Sequence, residues 1–238
     1  MQAGLIANQY GITPNWSSQE MLFPGLWVYR DVFTKQPDLI DRVEHLLANN
    51  DASFKWQDAF VGYDQKIPEY RDAKDFKIGE VKDNRFFSNP NYLTYNDIWK
   101  DAHNVQIPSV QDYCARYNVK MDYWEVMNFI KYGPGQHFKE HADHGFSYSA
   151  TVSLVGYPND NYVGGGLHFP KLNLQIEPKA GDLYIFPSTY LFSHIAMPVI
   201  EGTKYSIVTM LDYNDHAHNP EFMQMREKWV KNVQNKSL

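Results

Sequence analysis

The spacing of apolar residues changes partway along the chain. Before about residue 120, apolar residues recur at intervals of three and four, which is typical of helices with one buried face. From Trp124 onward, apolar and polar residues alternate in short runs, as they do in strands that bury one face. The pattern therefore predicts helices in the first half and strands in the second.

Two helices are predicted in the first half. The first carries Leu39, Val43 and Leu46 on one face, with Pro37 and Asp38 near its start. The second repeats the pattern through Val110, Tyr113, Cys114 and Tyr117. Residues 51–90, between them, are polar and aromatic without a clean period, so we expect loops with short strands there.

Several short strands are predicted after residue 120. In the first, Trp124, Val126, Asn128, Ile130 and Tyr132 share one face, and a Gly-Pro-Gly turn follows. Further β-rich runs lie at residues 148–155, 172–176, 183–186 and 205–211. Short strands with turns at regular spacing favour a sandwich or jelly roll.

The predicted fold class is mainly β with flanking α-helices, built on a double-stranded β-helix (a cupin-like jelly roll). No linker or repeat divides the 238 residues, so we expect a single domain, 1–238. Within it we expect a helical and loop-rich support region at 1–120, a β-helix core at 121–213 and a C-terminal helix at 219–236.

Composition narrows the classes of partner. A net charge of −6 disfavours nucleic acid, and apolar runs of at most four residues predict no transmembrane helix and no membrane partner. The single cysteine, Cys114, excludes an internal disulfide and a multi-cysteine metal site, so we expect a reducing, cytoplasmic location. The nine histidines are therefore the main candidates for metal chemistry.

Three residues in the β-rich half form a candidate metal site. His141 and Asp143 are two apart, and His194 follows 51 residues later. Two histidines and a carboxylate are the ligands of a facial triad for non-haem Fe(II). Residues two apart on a strand point the same way, and we expect the third ligand from a facing strand. Taken alone, the His-x-Asp pair is more typical of a surface histidine beside a loop aspartate.

A lysine on the next predicted strand adds a candidate anion site. Lys204 and Ser206 share a strand face, and a buried ammonium requires an anionic partner such as a small diacid. The hydroxyl of Tyr132 could reach the same carboxylate. The alternatives are a solvated lysine at a strand edge and a tyrosine that only packs in the core.

Residues 132–211 resemble the catalytic core of the Fe(II)/2-oxoglutarate-dependent dioxygenases, and within them the prolyl 4-hydroxylase-like group. The order of several elements carries the resemblance. They are Tyr132, Gly133 and Gly135; His141 and Asp143; Tyr157 and Asn159; Gly165, Gly166, Phe169 and Pro170; Gly181 to Phe186; His194; Pro198 and Val199; and Gly202 with Lys204.

The resemblance implies a reaction and its cofactors. It implies Fe(II) on His141, Asp143 and His194, the C5 carboxylate of 2-oxoglutarate on Lys204, O2 as co-substrate, and ascorbate as a further candidate cofactor. The reaction is hydroxylation of an unactivated C–H bond. The side chains implied as further contacts of the co-substrate are Tyr132, Ser206, Thr151 and Ser153.

The substrate is less defined than the cofactors. The resemblance implies a peptidyl substrate, with a small molecule or free amino acid as the alternative and His144 and His168 as candidate contacts. For the aromatic residues of 54–97 we consider two positions. They could line a groove that binds a peptide, or they could cover the outside of the barrel. A different class also stays open, an inactive jelly-roll module that only binds a ligand.

Overall fold

The structure is a computed structural model that describes residues 11–49, 51–61, 65–145 and 149–234. Its α-helices are α1 (Leu39–Ala48), α2 (Pro90–Tyr117) and α3 (Pro220–Gln234). The expected C-terminal helix is thus present from residue 220, and residues 235 and 236 lie outside the described residues. None of the helices in the described ranges is both long and apolar enough to cross a membrane.

Sixteen strands lie in the described part of the chain. In the first half they are β1 (Gln19–Phe23), β2 (Leu26–Tyr29), β3 (Gln57–Asp58), β4 (Arg71–Asp72) and β5 (Lys74–Ile78). In the second half they are β6 (Tyr123–Trp124), β7 (Met127–Tyr132), β8 (His137–His141), β9 (Val152–Gly156), β10 (Tyr162–Gly164), β11 (Leu167–Phe169), β12 (Leu174–Ile176), β13 (Leu183–Pro187), β14 (His194–Ala196), β15 (Val199–Gly202) and β16 (Lys204–Asp212).

Two antiparallel sheets form the centre of the fold. The large sheet has the order β1-β2-β13-β9-β16-β7-β5-β3, with β6 paired to β16. The small sheet has the order β12-β11-β14-β8-β4, and β10 pairs with β15 in a separate ribbon. Neighbours in each sheet are mostly distant in sequence, which is the crossing pattern of a jelly roll.

Alternation along β16 gives the large sheet two different faces. Ile207 and Leu211 pack with the helices in the largest apolar cluster. Lys204, Ser206 and Val208 point the other way and line a cavity between the two sheets. One face of the sheet therefore holds the helices, and the other faces the small sheet.

Five of the eight aromatic residues of 54–97 whose side chains the structure describes pack against this helical side. Phe54 and Phe76 are buried, and Trp56, Tyr92 and Tyr95 pack on the same cluster. Their placement fits the outer-covering alternative rather than a peptide groove. Tyr63 and the side chain of Phe87 lie outside the described residues.

The first 120 residues contribute strands as well as helices. The hairpin β1–β2 extends the large sheet through pairing of β2 with β13. Sequence alternation missed this hairpin because Leu26, Val28 and Tyr29 are all buried, so β2 shows no polar face. The predicted division into a support region and a core stays a prediction.

Candidate active site

His141, Asp143 and His194 converge in the cavity between the sheets. One ligand atom from each lies within 4.8 Å of the other two. Nε2 of His141 is 3.7 Å from Oδ1 of Asp143, and Nε2 of His194 is 4.0 Å from Oδ2. A divalent cation placed between these atoms would be within reach of all three.

Strand pairing brings the two histidines together. His141 ends β8, His194 begins β14, and the two residues are paired in register. Our expectation that the third ligand comes from a facing strand is wrong, because β8 and β14 are neighbours in the small sheet. Paired residues on adjacent antiparallel strands have Cβ atoms about 5 Å apart, close enough to share one ion.

Backbone carbonyl groups orient both imidazoles. Nδ1 of His141 lies 2.8 Å from the carbonyl oxygen of Lys139, and Nδ1 of His194 lies 3.1 Å from that of Phe192. With hydrogen on each Nδ1, both Nε2 lone pairs are free for a metal. Burial, with a contribution from His194, lowers the pKa of His141 to about 3, so this ligand is neutral at physiological pH.

Ser153 holds the carboxylate ligand. Its hydroxyl donates to Oδ2 of Asp143 at 2.6 Å and lies 2.7 Å from the hydroxyl of Ser188. Both serines are buried. We expected the Ser153 side chain to contact the co-substrate. In the structure its hydroxyl donates a hydrogen bond to Asp143 instead.

A second polar group lies beside the metal ligands. Nζ of Lys171 is 2.6 Å from Oε1 of Glu140 and 2.7 Å from Oγ of Ser193, and that hydroxyl donates to Glu140 at 2.6 Å. Glu140 precedes His141 and Ser193 precedes His194. We call these three residues the clasp, because they join β8 to the start of β14 at the positions next to the ligands.

Lys204 lies in the same cavity, almost fully buried. Its side chain is 1% exposed, and Nζ donates to the carbonyl oxygen of Gly165 at 2.6 Å. Nζ also lies 5.0 Å from the ring centre of Tyr132 and 5.4 Å from that of Tyr157. No carboxylate of the described residues lies within ion-pair distance. Burial lowers the pKa of Lys204 to about 7, against an opposing effect of Glu177.

Two hydroxyl groups, those of Tyr132 and Ser206, lie on the same face of the large sheet as this ammonium. Tyr132 pairs with Lys204 in register, and Ser206 follows on the same face of β16. Both are buried, and neither side chain makes a hydrogen bond to another described residue. Burial raises the pKa of Tyr132 to about 12, so its hydroxyl stays protonated. The three groups can together hold a carboxylate.

Three predicted contacts are placed elsewhere. Thr151 donates to Asp212 and does not line the cavity. His144 is exposed, and its Nδ1 lies 2.8 Å from the carbonyl oxygen of Ala150. His168 is on β11 between the inward-facing Leu167 and Phe169, so its side chain points away from the cavity.

Three further residues line the cavity that sequence reasoning did not select. Asn128 was on the predicted inward face of β7, where it is the polar exception among apolar residues. Tyr157 stood in the Tyr-x-Asn motif, but only as a family marker. Arg71 is on the two-residue strand β4 and carried no signal that sequence alone could have used.

The residues fit the groups that the resemblance implies. The His-Asp-His set leaves coordination positions free on a six-coordinate metal. The charged form of buried Lys204 has only a carbonyl as a hydrogen-bond partner among the described residues, so an anion would stabilise it, and one carboxylate of a diacid would supply that anion. The cleft between the sheets is open to solvent on one side, so a small diacid could enter it and contact both groups.

Comparison with known proteins agrees with this geometry. A family model described as the 2OG-Fe(II) oxygenase superfamily matches residues 127–211, which contain all three metal-site residues and Lys204. One relative comes from Acanthamoeba polyphaga mimivirus and is named as a prolyl 4-hydroxylase. It is 26% identical over 153 residues, which are 55% of this chain and 63% of the relative. Human procollagen-lysine,2-oxoglutarate 5-dioxygenase 2 is 25% identical over 163 residues, 63% of this chain and 22% of the relative.

Solved structures confirm the predicted fold class. A prolyl hydroxylase of Trichoplax adhaerens, in complex with a hypoxia-inducible factor peptide fragment, matches with a TM-score of 0.62 and 16% identity, covering 87% of both chains. A Pseudomonas putida prolyl-4-hydroxylase matches with a TM-score of 0.57 and 17% identity, covering 88% of this chain and 97% of the other. The match to each sequence relative spans less than two thirds of that relative's length. Over residues 127–211 the chain is similar to the 2OG-Fe(II) oxygenase superfamily, and the relatives that it resembles include proteins named as prolyl hydroxylases.

Proposed function

We propose that this protein is an Fe(II)- and 2-oxoglutarate-dependent dioxygenase that hydroxylates a C–H bond of a peptidyl substrate, in the manner of a prolyl 4-hydroxylase. The observation that carries the proposal is the position of Lys204. A buried ammonium that lacks a carboxylate partner lines the same cavity as a His-Asp-His cluster. One cavity therefore offers both a metal site and an anion site.

Each group in the cavity has a distinct role. His141, Asp143 and His194 would hold Fe(II), and Lys204 with Tyr132 would hold the distal carboxylate of 2-oxoglutarate. When bound, the iron and the co-substrate supply the oxidising chemistry, in which O2 converts 2-oxoglutarate to succinate and CO2 and the substrate gains a hydroxyl group. The protein orients these groups and excludes water, and no side chain is needed as a general base.

Other side chains would tune the contacts. Ser206 lies on the cavity face beside Lys204, so we include its hydroxyl among the contacts of the co-substrate carboxylate. Ser153 would act indirectly, by orienting Asp143 through the hydrogen bond that its hydroxyl donates to Oδ2. Thr151, His144 and His168 have no contact with the cavity that would support the roles first expected of them. A requirement for ascorbate stays a prediction.

The proposal that the substrate is a peptide is supported by the names of similar proteins as well as by the cavity. The mimivirus relative is named for prolyl 4-hydroxylation, the human relative for procollagen-lysine, and the Trichoplax enzyme was solved with a peptide fragment. A small molecule or free amino acid with the same chemistry is the alternative. A binding module without catalysis is the alternative of a different class.

Calorimetry followed by a turnover assay tests the proposal. Wild-type protein is titrated anaerobically with Mn(II) and then 2-oxoglutarate. With Fe(II), succinate release is then measured across peptides containing proline or lysine and across free amino acids. We expect binding of both ligands and succinate release with a peptide. Failure to bind either ligand contradicts the enzyme assignment, and binding of both without turnover of any substrate favours the binding module.

Matched variants show whether the named site is responsible. His141→Ala and Asp143→Ala are expected to abolish succinate release. His168→Ala removes a histidine from the outward side of the same small sheet and should leave release unchanged. Equal loss in all three variants would point to general damage to the sheet rather than to removal of ligands.

A further inference from the structure

The cavity has polar side chains that neither the metal site nor the Lys204 site explains. Asn128 on β7 lines it from the large sheet, and Arg71 on β4 lines it from the small sheet. Asn128 pairs in register with Val208, two positions beyond Ser206 on the cavity face of β16. Both residues are therefore available to a molecule that enters between the sheets.

Asn128 has a carboxamide without partners. Within the described residues, its Oδ1 is shielded from solvent and accepts no hydrogen bond, and its amide nitrogen donates none. The neighbouring inward positions on β7 are Ile130 and Tyr132, so a leucine at 128 would pack at less cost to folding. A buried polar group without a partner destabilises the folded chain, and a bound ligand that supplies one removes that cost.

Arg71 is held in place but keeps unused donor capacity. One terminal nitrogen donates to the carbonyl oxygen of Phe60 at 2.7 Å, while Nε is buried and has no acceptor among the described residues. Its guanidinium carbon lies 4.6 Å from the ring centre of Phe138. That ring stacks on His141 with centres 3.5 Å apart, so Arg71 is one ring removed from a metal ligand. In the described part of the chain, no carboxylate lies within ion-pair distance of Arg71.

The charges in the cavity restrict what these groups can bind. Asp143 and a bound 2-oxoglutarate would offset the positive charges of Lys204 and a bound metal, whereas the guanidinium of Arg71 has no carboxylate partner among the described residues. Arg71 would repel the ammonium of a free amino acid placed beside it, whereas a main-chain peptide group is uncharged. A peptide group also offers a carbonyl acceptor for the guanidinium and both donor and acceptor for the carboxamide.

We propose that Arg71 and Asn128 determine specificity for peptidyl substrates by binding a main-chain amide next to the residue that is hydroxylated. The inference rests on the proposed function, from which the hydroxylation comes. The structure adds the two residues that would separate a residue within a peptide from the same amino acid in free form.

The test uses a defined probe, a short peptide centred on proline with an acetylated N-terminus and an amidated C-terminus, beside free proline. Asn128→Leu removes the carboxamide and keeps the side-chain size, Asn128→Gln keeps the carboxamide, and Arg71→Gln removes the charge. We expect Asn128→Leu and Arg71→Gln to raise the KM for the peptide by about tenfold or more, the effect of losing one hydrogen bond. The affinities for Mn(II) and 2-oxoglutarate should stay close to wild type, and Asn128→Gln should recover part of the loss.

Several results would overturn the inference. One is an unchanged peptide KM in both Asn128→Leu and Arg71→Gln, and another is faster turnover of free proline than of the peptide by wild type. A weaker Mn(II) affinity in Arg71→Gln with an unchanged KM would assign Arg71 to support of His141 instead. Wild type that binds Mn(II) and 2-oxoglutarate but neither binds nor hydroxylates the peptide also overturns it. Wild type that fails to bind 2-oxoglutarate at all contradicts the proposed function itself.

Discussion

Nζ of Lys204 donates a hydrogen bond of 2.6 Å to the carbonyl oxygen of Gly165, and this is its only hydrogen bond to the described residues. One carbonyl oxygen cannot neutralise the charge of an ammonium, so we expect this side chain to bind an anion. We predict that Lys204→Met weakens 2-oxoglutarate binding by at least about 30-fold, the lower range for losing one partner of a buried charge pair. Mn(II) affinity should be nearly unchanged. Calorimetry measures both, and equal co-substrate affinity in the variant would remove the anchoring role.

The low pKa of Lys204 predicts a pH dependence of co-substrate binding. Burial places this pKa at about 7, and only the protonated form pairs with a carboxylate. Below pH 7 the ammonium is already charged, so affinity should be level. Above pH 7 binding must take up a proton, so affinity should fall by up to about tenfold per pH unit. Titrations of the Mn(II)-loaded protein from pH 6 to 9 measure this.

Lys204→Arg is the control for that dependence. Its guanidinium keeps its charge throughout the range, so any binding that it retains should vary little above pH 7. A fall of the same size in Lys204→Arg would assign the pH effect to another group.

The hydrogen bond from Ser153 to Asp143 predicts an effect on metal binding. Ser153→Ala leaves Oδ2 of Asp143 without its donor and frees the carboxylate to rotate. Loss of an outer contact of this type weakens metal binding by about 10–100-fold. Thr151→Val is the matched control, because it removes a hydroxyl from the same segment that bonds to Asp212 instead. Mn(II) titration should separate the two variants, and equal affinities would assign Ser153 to folding alone.

The clasp of Glu140, Lys171 and Ser193 predicts a smaller effect. Lys171 and Glu140 are each more than 40% exposed, so their ion pair alone contributes little. Ser193 is buried, and Ser193→Ala removes hydrogen bonds to both. We expect a loss of about 1–2 kcal/mol in the free energy of unfolding. Mn(II) affinity should fall a few-fold.

Lys171→Met provides the comparison for Ser193→Ala. It leaves the hydrogen bond from Ser193 to Glu140 in place, so it should cost less stability. Urea denaturation with each variant measures the difference, and a larger loss in Lys171→Met would contradict the order that we expect.

Close packing between the first 120 residues and the β-rich half predicts an effect on stability. A Cβ added at Gly156 would lie 2.2 Å from the buried ring of Phe33. Gly156→Ala should therefore lower the free energy of unfolding by about 1–3 kcal/mol, as overpacking does. Gly145→Ala is the control, since a Cβ there meets no atom of the described residues within 4 Å. Thermal unfolding measures both, and combining Gly156→Ala with Phe33→Leu should recover part of the loss.

The candidate metal-site residues could be selected from the sequence because each lies where the chain is extended or turns at a strand end. His141, Asp143, His194 and Lys204 were all assigned from spacing and from the order of motifs, and the structure places all four around one cavity. The sheet that supplies the third ligand was not predictable, because strand order depends on long-range pairing that alternation does not encode.

The remaining errors also have physical causes. Thr151 and Ser153 alternate with apolar residues in the same way, so the sequence does not distinguish them. The tertiary fold places the Thr151 hydroxyl against Asp212 and the Ser153 hydroxyl against Asp143. Asn128 was visible as a polar residue on an inward face, but one polar residue among apolar neighbours is also common at strand ends. Arg71 could not be selected because it lies on a strand of two residues, which is too short to show an alternating pattern in the sequence.

The register between β8 and β14 has one further consequence. A cation bound by His141 and His194 would tie together positions 53 residues apart in the chain. Such a tie acts as a reversible crosslink, which stabilises the native chain by restricting the conformations of the denatured one. Removal of the ion with a chelator should then lower the melting temperature as well as stop turnover.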